Sequence, residues 1–565
     1  MKSRKQACFL ASLVCAGALP VAGHEAPSIA GIDAVFAAWS GIDRPGCALA
    51  VQKDGVVIYA KGYGMANLEA VVPNTPDTIF DIGSVSKQFT AMAVVLLAED
   101  RKLSLDDDIR EYLPEIPDYG TRITINQLLH HTSGLRNYTD LFDLAGVPEV
   151  DLTTTRDALD LIARQRGVNF KPGDEFMYSD TNYFLAGEIV RRVSGISLRQ
   201  FSEERIFRPL GMTRTHINDQ PREIVPGRAI GYEPTHRGYL SYLSNFEQVG
   251  DGSVLTTVLD LSRWQRNFEQ PRVGGKRAIE LLLQTAMLND GSRTAYGSGV
   301  FVDTYRGLPW IHHGGEWVGY RAAVSRFPSE KLSVVVACNV IGSLNATALT
   351  LGVADHYLGA AAKGGPPPPR ADGSAADQAG LYWSSDDGTV RRFEARHGIL
   401  TLARGSSSIV LVAEGQGRYR KSDAEPRSTY QFFAGNASPA MRMEEHCCGR
   451  TAHYVRVSDD AHDAPPIGDY TGRYLTDDLP GYWQLIDDKG TLVRRQPYQH
   501  DTPLVPAFAD TFVGSLSEGD FLVHFVRGAG GRVTGMLISG EMLRPMMLAR
   551  QQEIAHQAKQ SVGRE

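Results

Sequence analysis

The apolar positions of this chain fall into three regimes. Lys2, Arg4 and Lys5 precede an almost wholly apolar stretch from Ala7 to Val21, and the small residues Ala22 and Gly23 follow. This order predicts a secretory signal peptide over residues 1–23, because the run is shorter than the ~20 residues that span a bilayer. An uncleaved anchor is the rival reading. From there to about residue 362, helical runs alternate with short strand-like runs. Ten residues from Phe89 to Ala98 contain one polar side chain, Thr90, which predicts a helix buried nearly all round. A second helical run passes through Ile189 and Val190, and Trp310 to Tyr320 reads as a strand. The third regime begins after Lys363 to Arg370, where two glycines and four consecutive prolines enforce an extended linker. Beyond it, Ile399 to Leu402 and Ile409 to Val412 are short and turn-bounded, as in antiparallel sheets. Tyr382 to Leu402 and Tyr474 to Val493 repeat one pattern about ninety residues apart, which points to two similar small β units.

Domains are therefore expected at residues 24–362, 376–460 and 466–550, with a linker at 363–375. The tail from about residue 376 is expected to fold apart from the first domain and to restrict access to its site.

Composition narrows the function classes. The 565 residues are 42% hydrophobic and 22% charged, as in ordinary globular proteins. Lysine and arginine number 58 against 65 acidic residues, a net charge of −7, which offers no broad positive field for nucleic acid. No later segment offers a membrane span. Of six cysteines, Cys8 and Cys15 fall in the leader, leaving Cys47, Cys338, Cys447 and Cys448. Four in so long a chain make no disulfide scaffold; an oxidising compartment permits a bridge, though buried thiols are the commoner state. Glu445, His446, Cys447, Cys448 and His453 superficially resemble a metal site. Neighbours in a strand point to opposite faces, so no metal is expected there, and no cofactor elsewhere.

Candidate chemistry lies in three segments. Phe80 to Lys87 places Ser84 and Lys87 at i and i+3 in the first turn of the buried helix, on one face and at the positive end of its dipole. The serine needs a base, and burial with the helix N-terminus is expected to lower the lysine pKa enough to provide one. The bland alternative is a capping serine and a solvated lysine. In the second segment, Phe176 to Tyr183 follows a turn at Lys171–Asp174 and precedes a helix, placing Tyr178 where a phenol can relay a proton. The third, Trp310 to Tyr320, puts His313 and Gly315 on one face of a strand whose glycines admit a substrate backbone.

In this order, and with Leu128 to Leu135, Pro209 to Thr213 and Gly250 to Ser253, the motifs resemble the serine β-lactamase and penicillin-binding-protein superfamily. The likeness is to its class C β-lactamase and D-aminopeptidase branch, over roughly residues 30 to 360. The resemblance implies an α/β (α+β) β-lactamase-like catalytic domain, an antiparallel sheet flanked by helices, followed here by two small antiparallel β domains. It implies Ser84 as acylated nucleophile, Lys87 as its base partner and Tyr178 as proton relay. It implies an oxyanion hole from the backbone N–H groups of Ser84 and Glu316. His313 stands where many relatives have lysine, with His312 as an alternative register; His130 and His131 are expected to be scaffold. Cys47 and Cys338 lie in strands that are neighbours in the family's sheet, and are expected to approach closely. Asp180 departs from the asparagine of many relatives. Its carboxylate cannot donate to a substrate amide, and instead favours protonated Lys87 or attracts a substrate amine.

The resemblance thus implies a secreted or periplasmic serine hydrolase that cleaves amides or esters through an acyl-enzyme. D-amino-acid-containing peptides are the expected substrates, small and possible products of a cell wall. An esterase or class C-like β-lactamase is the alternative, and a low-turnover cell-wall peptide-binding protein a further one. No nucleic acid partner is expected.

Overall fold

The computed structural model describes residues 28–551 except 149, 360–374, 405–406, 422–427, 434–441, 448–449, 458–464, 496–500, 517–518 and 541. The expected signal peptide and the linker up to residue 374 lie outside the described residues. Among the described residues, no helix is long and apolar enough to cross a membrane.

Six strands form the central antiparallel sheet: β1 (Cys47–Lys53), β2 (Val56–Tyr63), β3 (Phe301–Tyr305), β4 (Leu308–Trp317), β5 (Tyr320–Phe327) and β6 (Leu332–Cys338). Their order is β3-β4-β5-β6-β1-β2. The first and last strands in sequence are therefore neighbours. Cys47 faces Cys338, and the two form a disulfide with Cα atoms 3.9 Å apart.

The apolar run in β1 reflects burial on both faces. Ala48 and Ala50 join one core cluster; Cys47, Leu49 and Val51 join the other, as period-2 side-chain alternation dictates. Helices α1 (Lys87–Glu99) and α2 (Asp180–Ser194) pack together in the first cluster, and α3 (Ala346–Leu358) covers the second face. In α1 every residue from Lys87 to Leu97 is buried, so its polar members Lys87, Gln88 and Thr90 must find partners inside the protein.

Downstream stand two closed eight-stranded antiparallel barrels. The first runs from strand Gly380–Ser384 to Arg450–Val457, the second from Gly472–Leu475 to Leu543–Arg550. Their internal likeness extends to single atoms. Tyr382 and Tyr474, in the opening strands, each donate a hydroxyl hydrogen bond to a carbonyl four residues back, Gln378 at 3.0 Å and Tyr470 at 2.8 Å. Gly380 and Gly472, at φ +144° and +141°, lie under Arg456 and Arg550 of the closing strands. A Cβ at either glycine would come within 2.7 or 3.1 Å of the arginine Nε.

The barrels differ in attachment. The first has its own core of residues such as Tyr382, Phe393 and Tyr430. The second shares the first core cluster of the N-terminal domain, to which Tyr474, Trp483 and Leu485 belong. It docks on the end of helix Tyr138–Ala145, whose last carbonyls have no partner within the helix. Trp483 Nε1 donates to Leu144 O at 2.8 Å. Buried Arg494 donates to Leu144 O at 2.8 Å and Asp143 O at 3.2 Å and lies 3.8 Å over the Trp483 ring. Arg136 adds an ion pair to Asp478 at 2.7 Å. The second barrel is thus bound into the first domain through a shared core and these polar contacts.

Truncating Trp483 to alanine removes both the shared apolar contact and the hydrogen bond. Denaturant unfolding of Trp483→Ala is expected to show a loss of about 3–5 kcal/mol. A loss below about 1 kcal/mol would mean that the barrel contributes little to the core of the N-terminal domain.

Candidate active site

The chain turns sharply before α1. Gly83 takes φ +48°, its N–H donates to Asp81 Oδ1 at 2.9 Å, and a short 3-10 turn over Gly83–Ser86 leads into the helix. β4 lies against this turn. A Cβ on Gly83 would stand 2.8 Å from Glu316 N, and one on Gly315 would stand 2.0 Å from Ile82 O. Only glycine permits this approach. Ser84 thereby reaches the wall of a cavity of about 440 Å³, which Tyr178, Asp180, Asp251, His313 and Glu316 also line.

Lys87 is completely buried. Its Nζ donates to Ser84 Oγ at 2.9 Å, Asp180 Oδ1 at 2.7 Å and Asp251 O at 2.8 Å. Three acceptors match the three N–H bonds of an ammonium ion. Burial alone pushes the lysine pKa down, but the charge of Asp180, with Tyr178 and Asp251 behind it, outweighs burial and holds the pKa above the ordinary lysine value. The expectation that burial lowers this pKa is therefore corrected: a carboxylate in direct contact wins over desolvation.

Tyr178 lies with its ring 4.9 Å from Lys87 Nζ. Its hydroxyl is buried beside Lys87 and Ser84, and burial raises its pKa against the pull of the Lys87 ammonium and of Ser84. Serine, lysine and phenol thus all hold their protons around neutral pH.

Asp251 was not singled out from the sequence, although its motif was. It is buried at the cavity wall; one carboxylate oxygen accepts from Tyr138 Oη at 2.9 Å, and the other has no partner. Burial first, and Asp180 second, push its pKa up to about 7 against the pull of Lys87. The Gly250 carbonyl in the same loop accepts from Thr90 Oγ1 at 2.7 Å, which ties the loop to α1.

The histidines separate by face. His313 points to the cavity, with Nε2 3.0 Å from Tyr296 Oη and Nδ1 2.6 Å from Gly314 O. His312 stacks on Trp310 with centroids 3.4 Å apart, so the alternative register faces the second core. His130 is held by Asn126 O and Gln284 O at 2.8 and 2.9 Å. His131 Nδ1 accepts from Ser179 N at 3.1 Å, and its ring packs 4.2 Å from that of Tyr178. Burial, with Lys87 adding to it, holds His131 well below the usual imidazole pKa, so it supports the tyrosine loop as a neutral acceptor. The Glu316 side chain is exposed and 3.5 Å from Arg321; only its backbone faces the Ser84 turn.

The residues that superficially resemble a metal site diverge in the fold. Cys448 lies outside the described residues. Glu445 turns into the first barrel towards Arg391 at 2.9 Å, while His446 meets Thr451 on the exposed side at 2.8 Å.

Residues of both barrels line the cavity, a placement that no sequence motif located. Glu175, three residues before Tyr178, pairs with Arg544 of the second barrel at 2.8 Å and Arg450 of the first at 3.3 Å. Both arginines also meet Asp387.

A serine hydrogen-bonded by a buried lysine at the head of a helix, against the edge of an antiparallel sheet, defines a serine hydrolase of the β-lactamase and penicillin-binding-protein class. Residues 32–357 match the family model described as Beta-lactamase, and the chain belongs to that family. Similarity continues through the barrels. A D-aminopeptidase of Gluconobacter oxydans (strain 621H) is 30% identical over 524 residues, covering 90% of this chain and 96% of that protein. A D-aminopeptidase of Brucella anthropi is 26% identical over 544 residues, with the same coverage. Among solved structures, the octameric penicillin-binding protein homologue from Pyrococcus abyssi shares the fold at a TM-score of 0.53 and 24% identity, covering 73% of this chain and 96% of that one.

The Asp180 charge stabilises the protonated form of Lys87, so unprotonated lysine appears only at higher pH. Asp180→Asn removes that charge at nearly constant volume. The acidic limb of its kcat/KM profile is expected to move to lower pH. A limb that stays in place would show that the Lys87 proton does not control the rate.

Proposed function

We propose that this protein is a D-aminopeptidase-like hydrolase that removes an N-terminal residue from amides and short peptides through an acyl-enzyme on Ser84. The observation that carries this reading is the carboxylate of Asp180 at the cavity wall. An anion there suits a substrate whose acyl part bears a free ammonium group. The two D-aminopeptidases that match nearly the whole chain, barrels included, support the D configuration.

The chemistry follows from the proton inventory. A substrate ammonium beside Asp180 competes for the charge that holds Lys87 protonated, and as a like charge it also lowers the lysine pKa. A proton can then leave the Lys87–Tyr178 pair. The pair accepts the Ser84 hydroxyl proton as Oγ attacks the scissile carbonyl. The backbone N–H groups of Ser84 and Glu316 stabilise the oxyanion, a role supported by the close approach of the Gly83 turn to Glu316 N. Collapse breaks the C–N bond, Tyr178 hands the proton to the leaving amine, and the acyl group remains on Ser84. Water then attacks the ester through the same relay. Its proton returns to Ser84 Oγ, and the free amino acid departs.

His313 packs 6.1 Å from the Tyr178 ring, centroid to centroid, and with Gly315 it forms the strand edge on which the substrate backbone lies. A β-lactamase reading is less well supported, because Asp180 lacks the amide donor that an acylamino side chain would meet. The leader pattern in residues 1–23 and the Cys47–Cys338 disulfide support export to the periplasm or beyond.

Intact-mass analysis after mixing with D-alaninamide, L-alaninamide, a simple ester and a β-lactam tests the assignment. Hydrolysis of the D-amide, with the acyl adduct localised to Ser84, is the expected result. Ser84→Ala is expected to lower kcat/KM by at least about three orders of magnitude. Retention of most activity in that variant excludes the mechanism.

A further inference from the structure

The cavity does not end at the catalytic domain. The inward side chains of the first barrel change character along its axis. Tyr382, Phe393, Leu400 and Phe432 fill one end, while Thr389, Arg391, Lys421 and Glu445 line the end that opens beside Ser84. The charges at this mouth are nearly matched. Arg391 pairs with Glu445 at 2.9 Å, and Arg450 and Arg544 share Glu175 and Asp387.

Lys421 is left over. It is 8% exposed and lines the cavity, on an inward position of strand Arg418–Lys421 beside buried Tyr419. Among the described residues its ammonium has neither an ion-pair nor a hydrogen-bond partner; the two carboxylates of this wall are engaged by arginines. The stem of this lysine is packed away while its ammonium faces the cavity, and an ammonium so placed with no protein counterion is a ready partner for an anionic group on a ligand.

We propose that the mouth of the first barrel is a carboxylate subsite, with Lys421 as its cation, that receives the C-terminal carboxylate of a short peptide substrate. This inference rests on the aminopeptidase reading and adds the leaving-group side to it. In that reading the acyl part is one residue whose ammonium is drawn to Asp180 and Asp251 on the catalytic side. The remaining length of the cavity then belongs to the leaving peptide. An anionic end and a cationic end in one cavity match a zwitterionic peptide with a free amine and a free acid. Peptides ending in a free carboxylate are thereby favoured over the same peptides ending in an amide. Lys421 is assigned to binding, with no part in proton transfer.

The test compares kcat/KM for D-alanyl peptides of two to five residues, each as free acid and as C-terminal carboxamide, with D-alaninamide as the reference substrate. At one or more lengths, wild type is expected to favour the acid by about tenfold, the scale of a buried charged hydrogen bond. Lys421→Met is expected to bring the acid-to-amide ratio close to one, chiefly through KM, whereas Lys421→Arg retains the preference. Lys421→Gln replaces the methionine variant if the latter does not fold. A wild-type ratio near one at every length overturns the subsite, as does a preference that survives loss of the Lys421 charge. Failure of wild type to hydrolyse D-alaninamide or any of the peptides instead overturns the aminopeptidase reading, which separates the two outcomes.

Discussion

The buried ammonium of Lys87 organises this molecule. A charge with no water around it is stable only where acceptors replace its hydration shell, and here they come from three distant parts of the chain: Ser84 at the head of α1, Asp180 at the start of α2, and the Asp251 carbonyl in the loop after Gly250. Holding those acceptors within 3 Å fixes how the two helices and the loop meet. The helix contact with the Gly250 carbonyl through Thr90, and the seat of the tyrosine loop on His131, are further parts of the same packing problem. The sheet closes the site from the other side, and the glycines at 83 and 315 let its edge come close enough.

This arrangement also sets the chemical difficulty that the enzyme must solve. A lysine that donates three hydrogen bonds cannot accept a proton, and a phenol buried beside it has little reason to release one. The site is therefore over-protonated for nucleophilic attack. A positively charged substrate group entering next to Asp180 changes the balance. In the proposed aminopeptidase reaction, substrate selection and activation of the serine become one electrostatic event, in which an uncharged acyl group lacks the means to displace the proton.

The two barrels share a plan down to the tyrosine and glycine–arginine pairs of their first and last strands, yet they serve different ends. Sequence periodicity in α1, the strand-like run of β4, the turn-bounded runs of the tail and the repeat starting at Tyr382 and Tyr474 were legible because each is a local pattern of burial. The attachment of the second barrel was not. It depends on Trp483 and Arg494 finding the end of the Tyr138–Ala145 helix more than three hundred residues earlier, and neither residue stands out in its own segment.

By itself, the sequence determined which local elements form, their order, and which of them carry serine, lysine and tyrosine, because helical and strand burial patterns and motif order are written along the chain. It also located the carboxylate at Asp180. Only the tertiary structure decided the sign of the Lys87 shift, since desolvation and a carboxylate at 2.7 Å act in opposite directions and their balance depends on distance. It alone chose His313 over His312 for the cavity, brought Asp251 in as a second carboxylate, and set Lys421 at the far wall. Electrostatic interactions depend on separation in space, and separations between segments hundreds of residues apart exist only once the chain has folded.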